Sequence, residues 1–327
     1  MNISRRSILK RLASSVAVVS LVPNLAVAQT FPNRPITLVV GVAPGGTNDG
    51  VSRALAAGMS KHLGIPVVIE NRVGAAGVVA LQGVLRSPAD GYTLLMSGGN
   101  LLAVLPVLNK MLPYKVEDIA PISLVSEHPF FLYASNDSGI TSVQKLVEID
   151  RQKLGSISYA SHGLGATNHL CTELLSQITG VKMVHIPYKG GNQAMGDIAS
   201  GRVQIMFDTE VAMPLAQAGK FRAIAVSHNT RIPAYPDIPT FKESGYENFN
   251  WTLWFALVAP KGIPQTVVDT LNEAIRKTVA DPGFLEENAA KGFFFVPKSG
   301  SLLTQFISEQ TLTVQQLASA RGISLSE

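Results

Sequence analysis

The chain has 327 residues, 46% hydrophobic and 15% charged, with 27 Lys and Arg against 23 Asp and Glu and a single cysteine, Cys171. Arg5, Arg6, Lys10 and Arg11 fall in the first 28 residues, which hold no acid, so the rest is balanced at 23 against 23 and offers no basic surface for a nucleic acid. One cysteine excludes a disulfide within the chain, and about 300 residues exceed what one core supports, so two domains are expected.

Residues 1–28 read as an export signal. A basic start is followed by an apolar run over residues 12–22, a break at Pro23, and small residues at Ala26 and Ala28 that fit cleavage before Gln29. The run is too short for a bilayer core of roughly 30 Å, which takes about 20 apolar residues. Ser4-Arg5-Arg6-Ser7 also fits the start of a twin-arginine signal. No cysteine follows the cleavage point, so no lipid anchor is expected there.

Strands then alternate with helices. Residues 36–43 form an apolar strand ending at Pro44-Gly45-Gly46. Asp49 opens a helix with Val51, Leu55, Met59 and Leu63 on one face, and its carboxylate is expected to cap that helix. Strands at 67–70 and 93–97 flank a glycine-rich helix start at 74–83. A strand at 122–126 leads through Pro129 into 130–135, where the domain changes. Strands at 157–161, 183–187, 203–208 and 222–227 follow, separated by patterns such as Leu170, Leu174 and Ile178. Residues 251–260 read as a strand crossing back. The helix bearing Val268, Leu271 and Ile275 and the C-terminal helix from Leu302 are expected on the first domain. Near-continuous apolar strands predict parallel sheets covered on both faces. The expected boundaries are 29–129 plus 253–327 for one domain and 130–252 for the other. Two α/β domains crossed by two strands make a hinge, with a ligand cleft between them.

Three turns lie at the carboxyl ends of strands, where open α/β sheets take ligands. They are Ala43-Pro44-Gly45-Gly46-Thr47-Asn48-Asp49, Ser97-Gly98-Gly99-Asn100, and the segment from Ser161 to His169. The last reads Ser161-His162-Gly163-Leu164-Gly165-Ala166-Thr167-Asn168-His169. Glycine lets backbone approach a ligand, and the amides of the following helix attract an anion. Thr47, Ser97, Ser161 and Thr167 add hydroxyls. Asp208 closes a strand and faces the same cleft, as a ligand contact or a loop brace. His169 is expected to make a structural hydrogen bond and Asn71-Arg72 to brace a loop; Lys189 is a candidate rim charge for steering anions, with a solvated lysine the default. Phe130, Phe207, Trp251 and Trp254 are candidates for an apolar wall, with core packing the simpler expectation. Cys171 reads as a buried small hydrophobe.

Catalytic and cofactor patterns are missing from the sequence. The five residues centred on Ser161 begin with Tyr159 and those centred on Ser97 with Leu95, so neither is a nucleophile elbow. The glycines from Gly163 lack the third of a dinucleotide fingerprint, the loop from Gly41 lacks the P-loop lysine, and no zinc spacing occurs.

The segments FPNRPITLVVGVAPGGTND, PVVIENRVGAAG, PADGYTLLM, YASHGLGATNHL, VHIPYKGGNQAMGDIASGRVQIMFD, RIPAYPDIPTFKESGY and LVAPKGIP cover nearly the whole chain after the signal. Together they resemble the tripartite tricarboxylate transporter receptors, also called Bug proteins. The resemblance implies an α/β, periplasmic-binding-protein type II-like fold: two doubly wound domains with a hinge and an interdomain cleft. It implies a periplasmic receptor, not an enzyme and without a cofactor or metal, that captures an organic carboxylate as a monomer. That ligand, a di- or tricarboxylate, an acidic amino acid or an aromatic acid, would pass to integral membrane subunits of the transporter. In the family two loops hold one carboxylate, mostly through backbone amides and ordered water; here they match residues 43–49 and 161–169. Asn48 stands where the family has Thr, and Ala166 where it usually has Ser, which removes two hydroxyls. The rival readings are an exported hydrolase using Ser161 with His162 or His169, and a ligand-sensing partner of a membrane kinase.

Overall fold

The computed structural model describes residues 31–188 and 191–325; the proposed export signal and Lys189 lie outside the described residues. In chain order come β1 (Ile36–Val40), α1 (Thr47–Leu63), β2 (Val67–Asn71), α2 (Val78–Leu85), β3 (Thr93–Gly98), α3 (Leu105–Leu108) and β4 (Ile119–Pro129). Next are β5 (Phe131–Ser135), α4 (Val143–Gln152), β6 (Ile157–Ser161), α5 (Thr167–Thr179), β7 (Met183–Pro187), α6 (Gly191–Ala199), β8 (Ile205–Asp208), α7 (Met213–Gln217) and β9 (Phe221–Val226). The chain ends with β10 (Thr252–Pro260), α8 (Gln265–Val279), α9 (Pro282–Ala289), β11 (Phe295–Ser299) and α10 (Ser301–Arg321). Two sheets result, ordered β11-β4-β10-β3-β1-β2 and β7-β6-β8-β5-β9.

Local sequence explains the central elements. Ile36, Leu38, Val39 and Val40 are all buried because β1 lies between β2 and β3 and is covered on both faces. Val51, Leu55 and Met59 carry α1 onto Ile36, Leu38 and Val40 of that sheet. Burying each of these side chains contributes about 1.5–3 kcal/mol. Gly64 ends α1 in the left-handed conformation, its amide bonded to Ser60 O at 3.0 Å.

The sheets are mixed, which corrects the expectation of parallel sheets. β10 runs antiparallel to both β3 and β4, and β5 antiparallel to both β8 and β9. β5 and β10 receive the chain as it crosses, so each enters its sheet at the carboxyl ends of the βαβ strands and runs against them. This arrangement also aims the sheets at each other. β3 is parallel to β1 and, through β10, to β4, whose carboxyl end leads directly into β5. β8 ends opposite the start of β5, at the pair Phe131 and Asp208, and β6 and β7 run parallel to β8. The carboxyl ends of β1, β2 and β3 therefore face those of β6, β7 and β8 across one cleft.

Ser227 ties the two crossings together. Phe130 N–H donates to Ser227 Oγ at 2.8 Å, Ser227 N–H donates to Phe130 O at 2.8 Å, and Ser227 Oγ donates to Trp251 O at 2.6 Å. The C-terminal helix departs from expectation, because it spans both halves instead of packing on the first alone. Leu303 packs with Leu95 and Leu102, whereas Val314 and Leu317 join Leu170 and Leu175 of α5. Arg321 Nε then pairs with Glu173 Oε2 at 2.6 Å.

Candidate functional site

The first loop leaves β1 and enters α1. Gly45 has φ +97°, a conformation that side chains rarely adopt, while Gly46 at φ −83° and ψ 171° is ordinary extended backbone. Gly45, not Gly46, is therefore the glycine whose backbone a side chain would strain. Ala43, Gly45 and Gly46 are exposed, and Thr47 and Asn48 half-buried. Asp49 is 3% exposed and does not cap α1 as expected. It reaches back instead, accepting from Gly45 N–H (3.0 Å), Arg53 Nε (2.8 Å) and Asn71 Nδ2 (2.9 Å). Burial raises its pKa, but these bonds outweigh it and hold the carboxyl at about 2. Asn71 also donates to Val42 O at 3.0 Å and so braces the loop as expected. Arg72 does not; it pairs with Glu70. The Asn48 side chain turns inward, accepting from Ser52 Oγ at 3.2 Å.

Asp49 takes the Gly45 amide out of play. Further along, the first intrahelical bond of α1 runs from Gly50 N–H to Gly46 O, and Gly46 supplies no side-chain cap. The amides of Gly46, Thr47, Asn48 and Asp49, which precede that bond, are the helix-start donors that α1 cannot satisfy itself.

The second loop repeats this plan. Ser161 is fully buried: its Oγ accepts from Gly163 N–H at 3.1 Å and lies 2.6 Å from His185 Nε2. His162 N–H is taken by Asn168 Oδ1, and Gly165 N–H by His169 Nδ1, both at 3.2 Å. Gly163, at φ +117°, turns the chain with open space where a side chain would project. Ala166 begins α5 without a side-chain cap, and the first helical bond runs from Leu170 N–H to Ala166 O. The amides of Thr167, Asn168 and His169 are thus left as a second helix start that α5 cannot satisfy itself.

Asp208 stands at the end of β8, 4% exposed, with Oδ1 accepting from Thr209 N–H at 2.8 Å. His162 Nε2 approaches its Oδ2 at 3.3 Å, an ion-pair distance without hydrogen-bond alignment, and Asp208 raises the His162 pKa. Ser97 is fully buried and donates to Gly98 O at 3.2 Å, so its hydroxyl stays within the sheet. Phe130, Phe207, Trp251 and Trp254 are core residues, each no more than 3% exposed. Cys171 is fully buried, and burial pushes its thiol well above the usual range. The sequence reading missed Arg53, Asn168 and His185. Only Asp49 and Arg53, four apart on α1, left a visible signal for such a pair.

Chemically, the loops offer two sets of helix-start amides at the carboxyl ends of β1 and β6, on opposite sides of one cleft, a setting for an anion. The hydrolase geometry is contradicted: His162 turns to Asp208 and His169 to Gly165, while His185 takes Ser161, whose oxygen is sealed beneath the loop. Among the described residues no cluster of three or more His, Cys, Asp or Glu could hold a metal, and no helix is long and apolar enough to cross a membrane.

Known proteins resemble this chain in sequence and fold. BugT of Bordetella pertussis is 37% identical over 268 residues, covering 81% of this chain and 82% of its own. The structure of Rpa4515 of R. palustris with adipate is 30% identical with a TM-score of 0.80, covering 91% of this chain and 100% of that one. MatC of Rhodopseudomonas palustris with bound malate is 28% identical with a TM-score of 0.73, covering 88% and 99%. The family model described as the tripartite tricarboxylate transporter family receptor matches residues 51–323. The chain thus belongs to the tripartite tricarboxylate transporter receptors, a family of solute-binding receptors with the periplasmic-binding-protein fold.

Proposed function

We propose that this receptor captures an organic carboxylate between the starts of α1 and α5. The supporting observation is the pair of uncapped helix N-termini, Gly46 and Ala166, presented across one cleft. The carboxylate would take the amides of Gly46, Thr47 and Asn48 on one side and of Thr167 and Asn168 on the other. Asp208 and His162 would stand beside it. Residues 29–129 with 253–327 would form one jaw and 130–252 the other, with Ser227 at the hinge. Relatives bound to adipate and to malate favour dicarboxylates of four to six carbons as the first ligands to try. A thermal-shift screen of mono-, di- and tricarboxylates, aromatic acids and acidic amino acids tests the reading. At about 100 times its dissociation constant a ligand adds roughly 2.7 kcal/mol of stability. No shift with any carboxylate would contradict it.

The same reading places the mature protein in the periplasm as a monomer, cleaved after Ala28, where it hands its ligand to the transporter's integral membrane subunits. N-terminal sequencing of exported protein should start at Gln29. Replacing Arg5 and Arg6 with Lys should block export by the twin-arginine route, and unchanged export would rule that route out.

A further inference from the structure

Behind the second loop stands a column of rings, Tyr159 and His169 buried and His185 half-buried. Tyr159 of β6, His185 of β7 and His169 of α5 pack together, with centroids 4.9 Å apart for Tyr159 and His185 and 4.3 Å for His169 and His185. The column meets the loop twice: Ser161 Oγ lies 2.6 Å from His185 Nε2, and Gly165 N–H donates to His169 Nδ1 at 3.2 Å. These contacts differ in chemistry. A hydroxyl can give or accept a hydrogen bond, so Ser161 can hold His185 in either protonation state. An amide only gives. His169 Nδ1 must therefore be bare, which fixes a neutral ring with its proton on Nε2.

The charged and titratable groups around the column keep it so. They are Tyr159 and His185 themselves, Glu173 one turn along α5, and Arg321 of α10. Glu173 would favour a proton on the rings, but its Oε1 accepts from Tyr159 Oη at 2.5 Å and its Oε2 from Arg321 Nε at 2.6 Å. Burial, with the neighbouring His185, pushes His169 down to about 4.

We propose that His169 is a positioning residue of the carboxylate cradle: by accepting from Gly165 it fixes the entry to α5 and so the amides that meet the ligand. This rests on the receptor reading above. A proton on Nδ1 would set a donor against the Gly165 donor, leave that amide unpaired and release the loop. The brace is then intact at neutral pH and in mild acid, and is lost as pH falls toward about 4. By linkage, bound carboxylate must in turn make His169 harder to protonate.

The test joins a ligand-free measurement to a binding one. In the free protein the Gly165 amide resonance is followed by ¹H–¹⁵N NMR from neutral pH to well below the His169 value of about 4. The same is done for His169→Asn, which puts an acceptor oxygen near the place of Nδ1 without a titrating group. The wild-type resonance should follow a one-proton curve and the Asn variant should not. At neutral pH, malate and adipate should bind His169→Asn within about twofold of wild type and His169→Ala about tenfold more weakly, the worth of one buried hydrogen bond. Equal binding by wild type and His169→Ala overturns the proposal. So does an Asn variant as weak as the Ala variant, which would assign the role to ring packing. If His169→Ala fails to fold, a Gly165 resonance that does not titrate in wild type overturns it alone. If wild type binds neither acid, the carboxylate that shifts it in the thermal screen takes their place; if none does, the receptor reading fails and the proposal with it, recognisably so because the Gly165 titration would persist.

Discussion

Arg53 Nε lies 2.8 Å from Asp49 Oδ2, so the arginine of α1 is committed to the protein's own carboxylate and does not point a free charge at the cleft. Asp49 in turn holds Gly45 and Asn71, making the pair the frame on which the first loop is bent. Its folded pKa of about 2 lies below the ordinary 3.8. The stability it contributes is therefore complete above that ordinary value and is lost as pH falls through it toward about 2. Asp49→Ala should lower stability by about 1–3 kcal/mol, since buried donors lose their acceptor. Melting curves against pH should show the gap between variant and wild type closing across that acid range. A gap that widens there would contradict the assignment.

Much of the fold was legible because β1, β3, β6 and β8 are largely buried on both faces and so read as near-continuous apolar runs. The direction of β10 was not legible, since a strand covered on both faces carries the same pattern whichever way it runs. α10 was misplaced for a related reason. Leu303 serves one sheet while Val314 and Leu317 serve α5, so no single stripe names one partner. β11 was missed because it is an edge strand with Pro297 in it and only Phe295 buried. At the site the glycine turns were visible and their bracing was not. His185 lies 24 residues from Ser161 and Asn71 lies 22 from Asp49, pairings that only parallel strands bring together.

The glycines of the first loop should behave differently. Gly46→Val meets no neighbour within 4 Å and needs no unusual backbone, so it should melt like the wild type while losing the ligand-induced shift. Gly45→Val must adopt φ +97° and should be less stable by about 1–2 kcal/mol even without ligand. Thermal melts with and without adipate check both. A Gly46→Val protein that keeps the full shift would place the carboxylate elsewhere.

Ser227 is fully buried and bonded to both crossings, so Ser227→Ala leaves Phe130 N–H and Trp251 O unpaired. A loss of about 1–3 kcal/mol is expected from denaturant melts. Closure about this point should lower the radius of gyration when ligand saturates the wild type, as read by small-angle scattering. Identical profiles with a proven ligand would remove the hinge.

Arg321 ties α10 to α5 through Glu173 and Ser176, at 2.6 and 2.9 Å. Because its side chain is a third exposed, Arg321→Met should cost only about 1 kcal/mol. A loss of several kcal/mol in chemical melts would mean that α10 carries far more of the fold than this contact suggests.

The claim at the centre of this account is that one carboxylate is held by the starts of α1 and α5 together. Hydrogen–deuterium exchange of the mature chain, with and without saturating adipate or malate, measures it most directly. The account predicts that peptides covering residues 43–49 and 161–169 gain protection together, at the same ligand concentration. Protection of one loop alone, or of neither while ligand is bound, would contradict it.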